Sequence, residues 1–193
     1  DLPGGFAPWL LAPVESVVPV PPALSAATAA LVEPFAAALH AVRGLDLADG
    51  QRVAVLGPRR LGALVVAALA ATRARAGARY EILAVARRAE MRALARALGA
   101  DDVLDAAATT NMTDLADVVI DTTGSPTGLP LAVQLATREV HVKSTTGQPA
   151  LGLAHATALV VDEISLVAYR NADLSSTTLP GPRPAVAALV GRL

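Results

Sequence analysis

Residues 53–66 read VAVLGPRRLGALVV. Gly57 and Gly62 stand at the first and last glycine positions of a G-x-G-x-x-G spacing, between an apolar run and a helical pattern. In such a loop the first glycine makes the turn, the second lets bare backbone meet a pyrophosphate, and the third lets the helix pack on the strand. Arg59 occupies the middle position, and Pro58 removes one backbone donor. Two readings follow. In one, the Arg59 guanidinium swings outward and clamps phosphate by charge. In the other, the loop is a structural relic. It keeps its turn and a helix start that attracts anions, but loses close approach, so dinucleotide binds weakly or not at all.

The second group of chemistry-bearing residues is Ala86-Arg87-Arg88. An acidic residue at the end of a second strand would grip the ribose diol of NAD. Alanine followed by two arginines disfavours that and suits a 2′-phosphate, hence NADP over NAD. The competing reading is a solvated helix start carrying two surface arginines. Ala86 lies 24 positions after Gly62, a long spacing that predicts an insertion within RARAGAR. A third group is the turn DTTGSP, whose Thr123, Gly124 and Ser125 are small enough to let a planar ring approach. Its alternative role is a simple turn into the next helix.

These positions need elements to hold them. RVAVL (52–56), YEILAVA (80–86), DVLD (102–105), ADVVIDTT (116–123), EVHVKST (139–145) and EISLVAY (163–169) read as strands, several of them buried and β-branched. Between them, Leu61, Leu64, Val65, Ala68 and Leu69 fall on one helical face, as do Met91, Leu94, Ala95 and Leu98. Leu129 to Leu135 suggests another helix, with Pro130 in its first turn. Strand and helix alternate, which predicts an α/β fold with a doubly wound parallel six-stranded sheet. Right-handed crossovers put the loops after strands one and four at the carboxyl edge. Upstream, Pro8, Pro13 and Pro19 predict an N-terminal extended arm. Ser25 is a predicted N-cap for a helix to about Val42, kinked at Pro34 and stopped by Gly44. A short helix is predicted over 185–192.

The bulk numbers narrow the classes. The chain has 193 residues and a net charge of −1, with 16 basic and 17 acidic side chains, so no basic excess points to nucleic acid or an anionic membrane. No apolar run reaches the roughly 18 residues that a membrane span needs. There is no cysteine. That excludes disulfides, thiol nucleophiles and cysteine-ligated metal, and fits a reducing, cytoplasmic setting. The first residues do not resemble a signal peptide, and the absence of an initiator methionine fits a processed product or a fragment.

Taken in order, these segments resemble the coenzyme-binding domain of the zinc-type medium-chain alcohol dehydrogenase superfamily, in its sorbitol- and threonine-dehydrogenase-like branch. The resemblance covers most of residues 4–170. GGFAPWLLAP and VVPVPPALS are similar to the segment leaving that family's catalytic domain, which makes 1–24 its remnant. ALVEPFAAALHAV resembles the linking helix (25–44). VAVLGPRRLGALV, RALARALGADDVLD, DVVIDTTGSPTGL, VHVKSTTG and VDEISLVAYR then follow in family order, within a Rossmann-like dinucleotide-binding domain (45–193).

The resemblance implies hydride transfer between an alcohol or carbonyl and a nicotinamide. Gly57, Arg59 and Gly62 would meet the pyrophosphate. Arg87 and Arg88, after Ala86, would meet the adenosine phosphate, and Thr123, Gly124 and Ser125 would approach the ring. In that family a separate N-terminal domain supplies most zinc ligands, so no zinc is expected here. Glu33 matches a position near the metal in sorbitol-dehydrogenase-like relatives, but one carboxylate does not make a three-ligand site. The favoured reading is a polar residue beside a helix kink. His40 reads as packing, while His141 and His155 lie too far from any paired acid to suggest a site. No residue presents itself as catalytic acid or base. The resemblance makes Glu163–Tyr169 the edge strand of a homodimer. The rival class is a degenerate, non-catalytic protein acting by binding or dimerisation.

Overall fold

The computed structural model describes residues 8–143 and the backbone of 165–168. The described residues fall into two compact units, 8–33 and 34–143 with 165–168.

In the first unit the proline-rich arm is irregular apart from one 3-10 turn at Val14–Ser16. Trp9, Leu11 and Val14 are exposed on it. Ser25 caps helix α1 (Ala26–Ala29) by accepting the Thr28 N–H at 3.1 Å. The expected kink at Pro34 is instead a break before it. The chain turns at Ala30 and Leu31, and α2 (Val32–Arg43) starts afresh. Pro34 then sits in a first turn, where its missing N–H leaves no carbonyl unpaired.

The second unit is a parallel sheet of β1 (Arg52–Leu56), β2 (Glu81–Ala86), β3 (Asp102–Asp105), β4 (Ala116–Asp121) and β5 (Ala136–Val142), in the order β3-β2-β1-β4-β5. All the pairings are parallel, with Leu56 opposite Val85 on one side and Asp121 on the other. The backbone of Ser165–Ala168 (β6) runs parallel beyond β5, from Glu139 opposite Ser165 to Val142 opposite Ala168. The rest of the predicted 163–169 strand, the 185–192 helix and His155 lie outside the described residues. The order reverses between β1 and β4, so the crevice of a doubly wound sheet opens at their carboxyl ends.

Two apolar layers cover the sheet. One joins Val53, Val55, Ile82 and Ile120 to Ala38 and Val42 of α2 and to Val65, Val66 and Leu69 of α3 (Arg60–Ala76). The other joins Leu56, Leu83, Val119 and Val140 to Ala132, Val133 and Leu135 of α5 (Gly128–Leu135). Between β2 and β3 runs α4 (Ala89–Ala97), which fully buries only Ala95 and leaves Leu94 exposed.

Three sequence expectations shift. The long Gly62–Ala86 spacing is taken up by α3 itself, which continues through Arg73 and Arg75 to a left-handed Gly77 cap. His40 is exposed, because the buried face of α2 is Ala37, Ala38, Ala41 and Val42. His141 and Lys143 are buried although they alternate with Val140 and Val142. A parallel strand covered on both faces hides both side-chain sets. His141 also has the paired acid that the sequence did not suggest: its Nε2 lies 2.8 Å from Glu139 Oε2, and Glu139 in turn binds Arg138 at 2.6 Å.

Candidate functional site

The crevice is built by two loops that lock together. Gly57 follows β1 with φ +73, in the left-handed region that favours glycine. Its N–H donates to the Val85 carbonyl at 3.0 Å, extending the β1–β2 ladder by one rung. A Cβ built there would stand 2.9 Å from Thr123 Cγ2 and 3.1 Å from Thr123 Cα, across the crevice in the β4 loop. Gly62 has the third-glycine role. A Cβ on it would lie 2.6 Å from the Gly57 carbonyl oxygen and would run into Thr122 Oγ1. That hydroxyl already donates to the carbonyls of Leu56 (2.7 Å) and Gly57 (3.0 Å). The first turn of α3 is thus seated directly on the strand ends.

Arg59 follows Pro58 in this loop. Its backbone is extended, at φ −95 and ψ −158, a conformation open to any residue. Its N–H turns back onto the Gly57 carbonyl at 2.6 Å, while its own carbonyl accepts from Ala63 at 2.6 Å. The side chain is exposed, as is that of Arg60 beside it. Pro58, by contrast, is buried. The loop therefore offers few backbone donors of its own, and the N–H groups of the first α3 turn, which helix geometry leaves without intrahelical acceptors, are the ones aimed outward.

One strand over, Ala86 is buried as the last residue of β2, while Arg87 and Arg88 are exposed. Arg88 precedes α4 and approaches Glu90 at 3.9 Å. The backbone under this pair is fastened by Arg92. One guanidinium nitrogen donates to the carbonyls of Ala86 (2.8 Å) and Arg87 (3.0 Å) and to Asp105 Oδ2 (2.8 Å). The ends of β1 and β2 thus carry four exposed arginines, at 59, 60, 87 and 88, on a chain of net charge −1.

The β4 loop hangs from Asp121, which is only 3% exposed. Its Oδ1 accepts the Thr123 N–H at 2.8 Å and the Thr123 hydroxyl at 2.7 Å. Thr123 Oγ1 accepts the Ser125 N–H at 3.1 Å, and the Ser125 carbonyl accepts the Gly128 N–H at 2.9 Å. Burial pushes the Asp121 carboxyl above the usual carboxylate range, and the two Thr123 hydrogen bonds offset this only in part. Gly128 makes room for the carboxylate. A Cβ there would lie 2.7 and 2.8 Å from its oxygens.

The structure therefore brings Gly57, Gly62 and Thr123 together at the switch point. Gly124 and Ser125 follow in the same turn, Arg59 lies at its rim, and Ala86, Arg87 and Arg88 lie at the neighbouring strand end. Sequence reading missed Arg60, whose signal was the doubled arginine, and Thr122, Asp121 and Arg92. Among the described residues no three histidine, cysteine, aspartate or glutamate side chains are placed to hold a metal ion, and no helix is long and apolar enough to cross a membrane.

No family model matches the chain. It is similar to the (R,R)-butanediol dehydrogenase of Bacillus subtilis, 37% identical over 142 residues that make up 69% of this chain and 39% of that protein. The L-threonine 3-dehydrogenase of Rhizobium johnstonii is 34% identical over 130 residues, 67% of this chain and 36% of that protein. The chain thus spans well under half the length of these relatives. The solved structure of the Bacillus butanediol dehydrogenase superposes with a TM-score of 0.67 at 27% identity, covering 89% of this chain and 47% of the other. A zinc-binding dehydrogenase from Sinorhizobium meliloti, solved bound to NADP, superposes at 0.66 with 24% identity, over 77% of this chain and 46% of that one, a likeness of fold.

Proposed function

We propose, from the premise that this chain belongs to the zinc-type medium-chain alcohol dehydrogenases, that its β1–β4 crevice holds a nicotinamide dinucleotide and that it prefers NADP to NAD. The observation that carries the reading is the junction of Gly57, Gly62, Thr122 and Thr123 at the switch point, with the start of a 17-residue helix seated on it. The residues fit such a ligand in three respects. The α3 N-terminus offers unpaired N–H groups and a positive dipole end to the pyrophosphate. Arg59 reaches the phosphates from outside. Arg87 and Arg88 present guanidinium groups where an acidic residue would instead hold a ribose diol.

When bound, the nicotinamide supplies the hydride acceptor or donor. The chain's own residues bind and orient it: Gly57 lets its loop close onto Thr123, and Gly124 and Ser125 leave space at the ring. The second substrate is an alcohol or carbonyl, and its activation falls to groups other than those described here. We further propose pairing of two chains through Glu163–Tyr169, which sedimentation analysis tests.

The test is titration with NADPH and with NADH, followed by melting temperature. A ligand at about 100 times its dissociation constant adds roughly 2.7 kcal/mol of stability. A shift with NADPH larger than with NADH is expected. No shift with either sinks the reading.

A second reading is the non-catalytic relic, and one observation favours it. The loop has spent its Arg59 N–H on the Gly57 carbonyl and has none at Pro58, so it gives a pyrophosphate fewer donors than a glycine loop. Arg59→Gly separates the two by sign. It weakens NADPH binding if Arg59 clamps phosphate, and improves it if Arg59 merely obstructs.

A further inference from the structure

The β4 loop contains a charge that neither the turn nor the fold needs. Asp121 is 3% exposed, at the end of the strand that borders the switch point. Its carboxylate is held by neutral donors of Thr123, at 2.7 and 2.8 Å, and lies against the first residue of α5. An asparagine would satisfy the same two donors through its carbonyl oxygen. What only aspartate supplies is negative charge, sheltered from water beneath Thr123 and Gly124. In a low-dielectric setting such a charge acts on whatever sits over the loop.

Resting on the reading that a nicotinamide ring faces this loop, we infer that the buried Asp121 carboxylate biases the crevice toward the oxidised nucleotide, whose ring is cationic, over the reduced one, whose ring is neutral. Asp121 is a positioning residue for the loop through Thr123 and a selector of redox state through its charge. Its own strand carries no other charged side chain at this end. On the adjoining β5 edge Lys143 is buried, with its backbone N–H on the Asp121 carbonyl at 2.9 Å, and Glu139 and His141 lie further down the strand. Those groups are common to wild type and variant, so removal of the carboxylate charge reads its own effect.

The experiment measures dissociation constants of NADP+ and NADPH for the chain and for Asp121→Asn, by calorimetric titration at pH 8. The ratio of the NADP+ constant to the NADPH constant is expected to rise about fivefold in the variant, roughly 1 kcal/mol. Thr123→Val removes the hydroxyl but keeps the charge, and is expected to weaken both nucleotides together with the ratio unchanged. Where Asp121→Asn fails to fold, Asp121→Ser carries the same expectation. A ratio unchanged or lowered by the loss of Asp121, with both nucleotides still bound, overturns the inference alone. Failure of the wild-type chain to bind either nucleotide overturns the underlying reading, and this inference with it.

Discussion

The two edges of the sheet use the same residue types in opposite ways. At the amino edge three arginines are closed off. Arg52 donates to Glu81 (2.6 Å) and to the Leu115 carbonyl (3.3 Å), while its own N–H meets Asp117 at 2.7 Å. Arg73 binds Asp101 and the Tyr80 carbonyl (2.9 Å) and lies over the Tyr80 ring, and Arg79 pairs with Asp49. At the carboxyl edge of β1 and β2, Arg59 and Arg87 make no side-chain hydrogen bond or ion pair among the described residues. Closed arginines fasten strand starts and helix ends. Open ones, above glycine turns, hold charge ready for a ligand. The difference teaches that arginine content says little until its partners are counted.

The largest test of this contrast is a carboxyl-edge residue that carries no charge. Gly62→Ala is expected to lower stability by about 3 kcal/mol in urea unfolding, at the upper end for overpacking, because the new Cβ meets a backbone carbonyl and a hydroxyl already engaged with it. A cost near zero would mean that the two loops are not interlocked. Next comes the amino edge. Asp101→Ala removes the partner of Arg73 and of the Ile82 N–H (2.7 Å), and should cost about 2 kcal/mol. Then come the open arginines. Arg87→Ala with Arg88→Ala should leave stability within about 0.5 kcal/mol while weakening NADPH about tenfold, or 1.4 kcal/mol, and sparing NADH. Equal losses for both nucleotides would move these arginines to a phosphate that the two share, and no loss for either would return them to the status of surface residues.

The central strands were legible because a parallel sheet writes itself as apolar runs: RVAVL matches its element residue for residue, with four of its five residues buried. The same physics hid the burial of His141 and Lys143. Their alternation with valine mimics a half-solvated strand, yet His141 lies opposite Ile120, on the face that α2 and α3 cover. At the site, the glycines were legible because a left-handed turn and a close helix approach leave a residue-type mark. Thr122 left none. Its hydroxyl bonds to Gly57, 65 positions away in the chain, and only the β1–β4 pairing creates that contact. Arg59 shows the limit from the other direction. The motif position allows a phosphate clamp or an obstruction, and an exposed side chain on an extended backbone agrees with both.

The smallest expected effect sets one aspartate at each edge against the other as pH changes. At Asp101, burial pushes the carboxyl up, but the Arg73 guanidinium and the Ile82 N–H outweigh it and hold the group below the ordinary carboxylate range. A folded pKa below the unfolded one contributes stability that is present above the unfolded value, about 3.9, and is lost as pH falls through the folded value. At Asp121, burial wins over the Thr123 hydrogen bonds and the folded pKa is raised. That contribution is fully present below the unfolded value and is lost as pH rises through the folded one, where a buried charge must form. Urea unfolding between about pH 3 and pH 8 should therefore show two opposite trends. Relative to wild type, Asp101→Asn loses ground as pH rises, because wild type alone gains the ion pair. Asp121→Asn gains ground over the same interval, because it never forms the buried charge. Parallel trends in the two variants would break the contrast between an ion-paired Asp101 at the amino edge and a buried Asp121 whose carboxylate, among the described residues, is held by Thr123.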